Sequence, residues 1–149
     1  MENPSAQSSR KFRYQEFMDL LVVPCPPEVG FEPRETVAFR WVFEDMDDER
    51  NFVPQYFKKP ARFYLKSDSE KCTSIGLSLF DSEENAKRQF EELSKRFRHE
   101  AYFMGQKVAK STLLPDFGLT DKPNRQGHFT LHPFEEVALK NHFSIVASL

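Results

Sequence analysis

The segment 36–43, Thr-Val-Ala-Phe-Arg-Trp-Val-Phe, restricts the folds open to this chain more than any other stretch. Strand alternation sets Phe39, Trp41 and Phe43 on one face and Ala38, Arg40 and Val42 on the other. Both faces are largely apolar, so the segment predicts a strand inside a sheet that is covered on both sides. Arg40 interrupts that pattern. A guanidinium there has three settings open to it: a structural ion pair, an exposed place at a sheet margin, or an anion-binding place in a cleft. Glu135 and Glu136, at the head of a later apolar run, are the expected carboxylate partners.

Around this strand the sequence predicts an α+β domain over residues 11–149, with a flexible tail at 1–10. Its short strands form a mainly antiparallel sheet. They are expected at 62–66, 74–80, 107–114 and 128–132, with two late ones at 136–139 and 142–146. A long amphipathic helix is expected at about 82–98. Asp81 is its N-cap and Glu84 completes a capping box. Ala86, Phe90, Leu93 and Phe97 recur on one face of this helix, which predicts that they point into the sheet. A shorter N-terminal helix at 11–21 stops before Pro24, Pro26 and Pro27. The polar run 67–71 reads as a turn, and the acidic run 44–50 as a solvated loop.

Composition excludes several functions. Among 149 residues, Lys+Arg 21 against Asp+Glu 23 leaves a formal charge of −2, unlike a strongly basic nucleic-acid binder. The 5 glycines are scattered singly, so no phosphate-cradling loop is present, and the 16 phenylalanines predict an aromatic-packed core. No apolar run reaches the roughly 20 residues of a membrane span. The first residues lack the apolar core of a secretion signal, which predicts a cytoplasmic protein. Cys25 and Cys72 are accordingly expected as free, inert thiols. On a strand, His128 and His132 stand too far apart to share one zinc ion, so no metal is expected. Lys58, Lys59 and Arg62 lie close to Tyr56, Phe57 and Phe63 in sequence. Such a grouping could hold single-stranded nucleic acid.

Three segments resemble the motifs of the ADP-ribosyltransferase family. They are Phe39-Arg40-Trp41-Val42, then Gly76-Leu77-Ser78-Leu79-Phe80 before a helix, then Glu135-Glu136-Val137-Ala138-Leu139. The resemblance implies NAD as cofactor, with Arg40 binding the dinucleotide, Ser78 supporting the nicotinamide pocket and Glu136 engaging the ribose. The chain departs from the pattern at Leu77 and Leu79, where many members have serine and threonine, and at Phe134. It is also similar to small bacterial proteins of no assigned activity. The reading of the residues themselves is a small binding or interaction module with a protein partner. The NAD-using transferase is its first alternative, and a single-stranded nucleic-acid binder its second.

Overall fold

The computed structural model describes residues 10–149, apart from the side chains at 100 and 102. The tail expected at 1–10 therefore lies outside the described residues except for Arg10. A six-stranded antiparallel sheet runs in the order β4-β5-β2-β1-β3-β6. Its strands are β1 (Thr36–Val42), β2 (Leu77–Phe80), β3 (Lys107–Leu113), β4 (Gly118–Thr120), β5 (His128–Pro133) and β6 (Ser144–Ser148). The predicted α+β class and antiparallel sheet are both present. β1 is indeed interior, paired with β2 on one side and β3 on the other.

The two sheet faces are covered differently. Ala38, Val42, Leu77, Leu79, Ala109, Leu113, Phe129 and Leu131 form one face, closed by Phe117, Val137, Leu139 and Phe143 from connecting segments. Phe39, Phe80 and Val108 form the other face, with Trp41 alongside. Ala86 of the long helix packs there, fully buried.

The helices are α1 (Gln15–Met18), α2 (Gln55–Lys58), α3 (Asp68–Ile75), α4 (Glu83–Arg96) and α5 (Arg98–Tyr102). Several expectations change. The N-terminal helix is a single turn, because Phe12 is drawn into a bridge with Phe134. The expected strand 62–66 is instead entered by a 3₁₀ turn, Pro60–Phe63, and the expected polar turn 67–71 opens α3. Ser67 caps α3 by accepting from the Glu70 N–H, and that cap decides the segment. Ser82, not Asp81, caps α4 by accepting from the Asn85 N–H; Asp81 instead accepts from the Asn85 side chain. The run 136–139 forms no strand: a 3₁₀ turn follows at Leu139–Asn141, and only β6 is extended. Gly105 holds φ +98° between α5 and β3, and a Cβ there would collide with the Val42 carbonyl oxygen. Only glycine fits that approach.

The inward face of α4 is shorter than its periodicity predicts. Phe90 meets Trp41 edge-on at 5.4 Å and is half-buried, whereas Phe97 is 54% exposed. Phe90→Ala is therefore expected to lower stability by about 2 kcal/mol, less than a fully buried ring would lose. Lys87→Ala, which removes only an exposed pair with Glu83, should stay within roughly 0.5 kcal/mol. Urea unfolding of the two variants checks the assignment, and equal losses would contradict it.

Candidate functional site

β1 and β2 are registered through one pair only, Phe39 with Phe80, while β1 matches β3 along its whole length. Arg40 occupies the place where the β1–β2 ladder stops. Its Nη1–H donates to the main-chain carbonyl of Ser78 at 2.7 Å, and its Nε–H donates to the carbonyl of Asn51 at 2.7 Å. A side chain thus takes up a strand carbonyl that a neighbouring strand would otherwise bind. Asn51, 1% exposed, is the post that fixes this geometry. Its Oδ1 accepts from the Phe43 N–H at 2.6 Å, and its Nδ2 donates to the Asp45 carbonyl at 2.9 Å.

This corrects the expected partner of Arg40. Glu136 is exposed and held by Arg10, whose Nε donates to Oε1 at 2.9 Å and whose Nη2 donates to the same oxygen. Hydrogen bonding from Arg10 keeps the Glu136 carboxyl below its usual range. Glu135 uses its main-chain N–H to bond the Lys11 carbonyl. The carboxylates open no strand beside β1, since the segment after Pro133 leaves the sheet. Among the described residues, no carboxylate forms a salt bridge with Arg40, which is only 7% exposed. Two carbonyl dipoles accept its hydrogen bonds, but its positive charge is not neutralised by an ion pair.

Arg40 lines a cleft of about 680 Å³ between the sheet, α4 and the segment carrying α2. Trp41, Phe80 and Phe97 give it aromatic surface. Lys58 and Arg62 reach it from the α2 segment, and Arg88 and Arg96 from α4. Among the described residues, Glu92 is the one carboxylate on its walls. Burial, reinforced by the charges of Arg40 and Arg50, lowers the Lys58 amine to about 8. Burial likewise lowers Arg40 to about 10. Buried Arg40 and partly buried Lys58 are like charges held near one another, and this arrangement favours an anion that would relieve both.

The resemblance motifs are brought together only in part. Arg40 and Ser78 both line the cleft, and they meet through the Ser78 main-chain carbonyl, which accepts from Arg40 Nη1. Glu136 is not on the cleft wall. His128 is, in edge contact with Phe80 at 5.7 Å; burial lowers its imidazole, against an opposing pull from Asp121. The aromatic neighbours of Lys58 pack among themselves and against the N-terminal segment. Tyr56 stacks on Phe63 and meets Phe57 edge-on, and Tyr14 and Phe17 close on Phe57. They make a small aromatic cluster beside the segment that carries Lys58 and Arg62.

A second cluster lies elsewhere. Cys25 and Cys72 are joined in a disulfide, so they are not the free thiols expected. α3 carries Cys72 to the proline-rich connector that holds Cys25, an approach that tertiary packing creates. A ring nitrogen of His132, on β5, lies within 4.8 Å of both sulfurs. While the disulfide is closed, neither sulfur is a thiolate donor.

Among the described residues, no helix is long and apolar enough to cross a membrane. Comparison of the chain with family models, with curated proteins and with solved structures finds no match in any of the three.

Proposed function

We propose that this chain is a binding module whose cleft takes a phosphate-bearing aromatic ligand of nucleotide class. One observation carries the reading: buried Arg40 and partly buried Lys58 share a cleft where, among the described residues, neither forms a salt bridge with a carboxylate, and Asp48 offsets only part of what burial does to Lys58. A guanidinium with an unused N–H edge and a neighbouring ammonium match phosphate oxygens. Trp41, Phe80 and Phe97 offer a base the apolar surface it needs. The same chemistry accommodates the pyrophosphate and base of NAD. The transferase reading also requires a ribose-engaging carboxylate, and Glu136 is engaged by Arg10 instead. Binding is therefore the better-supported activity, and transfer is an outcome for the test to decide.

The sequence alone points to a protein partner and a cytoplasmic setting. The Cys25–Cys72 disulfide favours a non-reducing setting for this form of the chain.

Trp41 is the chain's one tryptophan and stands on the cleft wall, so it reports occupancy directly. Titration with adenosine and guanosine nucleotides, NAD and inorganic phosphate should change its fluorescence for the nucleotides and raise the melting temperature in parallel. Lys58→Ala should weaken that binding by about tenfold. Absence of both a fluorescence change and a thermal shift with all of these at millimolar level would refute the reading. Release of nicotinamide from NAD would move the assignment to transfer.

A further inference from the structure

The Cys25–Cys72–His132 cluster carries more than a covalent staple. His132 is 1% exposed, and its Nε2 is buried with no hydrogen-bond partner among the described residues. Buried ring nitrogens are seldom left so, and an exception calls for an explanation. Phe31 and Phe12 lie against the imidazole at 5.3 and 6.3 Å. Gly76 brings the backbone in close, since a Cβ there would lie 3.2 Å from Nε2. These neighbours hold the ring in place beside the two sulfurs and supply no acceptor or donor for Nε2. Three independent parts of the chain supply the three groups: the proline-rich connector, α3 and β5.

We propose that Cys25, Cys72 and His132 form a redox-gated zinc site, closed as a disulfide and opened for metal by reduction. A dithiol reductant supplies the two electrons. The Cys25–Cys72 bond breaks, the reductant's two thiols become a disulfide, and their protons pass to the cysteine sulfurs. Zinc(II) then displaces both protons and binds two thiolates and one imidazole nitrogen. Thiolate and imidazole are the ligands zinc prefers, and three protein ligands leave the fourth tetrahedral position to water. Cys25 is only half-buried, which gives reductant and metal a way in, whereas Cys72 is 1% exposed. The Cα atoms stand 5.7 Å apart, so side-chain rotation alone can separate the sulfurs enough to share an ion.

The test uses the full chain and cobalt(II) as a spectroscopic probe. The protein is reduced with a phosphine under nitrogen and titrated with cobalt, and zinc is then added as competitor. Expected are thiolate-to-cobalt charge-transfer bands that saturate at one ion per chain, vanish on adding zinc, and never form with the oxidised chain. Zinc should raise the melting temperature of the reduced chain and leave the oxidised chain unmoved. His132→Gln, whose disulfide still forms, should lower cobalt affinity by about tenfold or more once reduced. A reduced chain that keeps its fold and shows no charge-transfer band overturns the proposal, as does unchanged affinity in His132→Gln. If reduction alone unfolds the chain, zinc should restore the near-ultraviolet dichroism of the oxidised form. Failure to restore it counts against the site equally.

Discussion

Loss of the Cys25–Cys72 bond in metal-free protein should cost about 4 kcal/mol, the chain-entropy value for a loop closed across a sequence separation of 47. The bond ties the start of the connector before β1 to α3, while its far end is held by the Glu32–Thr120 bridge and by Phe31 against His132. Val22 and Val29 are almost fully exposed, and Val22 is tied through its main-chain N–H, which donates to the Asp68 carboxylate at 2.7 Å. The double variant Cys25→Ala/Cys72→Ala, compared with oxidised wild type by urea unfolding, gives the number. The midpoint should fall, and the denaturant slope should change only as far as the unfolded chain expands. A loss under about 1 kcal/mol would mean that the connector is held by its packing and that the entropic account does not apply here.

Charge in the cleft produces the second large effect. Arg40→Met should weaken nucleotide binding by about a hundredfold, because it removes a buried charge-assisted donor that no neighbour replaces. Lys58 adds a pH dependence with two opposite signs. Its amine titrates at about 8 in the folded chain and at its ordinary 10.5 when unfolded. Between those values the unfolded chain holds more protons, so raising the pH stabilises the empty fold. A bound phosphate favours the charged amine, so the same rise in pH weakens binding as the proton is lost. Melting temperature and affinity should therefore move in opposite directions above about pH 8. In Lys58→Ala both trends should flatten. Affinity that is constant from roughly pH 7 to about 10 would place the ligand away from Lys58.

The contrast between these effects separates what is local from what is not. Alternation over 36–43 determines β1 and its interior place, because a strand apolar on both faces needs cover on both. The 3.6-residue repeat of Ala86, Phe90 and Leu93 likewise determines α4, and the apolar Phe129 and Leu131 determine the buried face of β5. A charge set among apolar neighbours is costly wherever the strand lies, so Arg40 stands out from its sequence context alone.

Who answers that charge is a tertiary matter. The carboxylates at 135 and 136 lie in a segment that leaves the sheet after Pro133, so Arg10 meets Glu136, while Asn51 and Ser78 turn carbonyls toward Arg40. No periodicity marks Asn51, since its importance lies in three hydrogen-bonding groups aimed in three directions. Short segments also leave little trace in sequence. A cap at Ser67 makes a helix of a run that looks like a turn, and the three residues of β4 are too few to show a repeat. The meeting of Cys25, Cys72 and His132 is the extreme case. Their spacing along the chain carries no sign of it, because α3 and β5 must pack before the sulfurs and the imidazole come within reach.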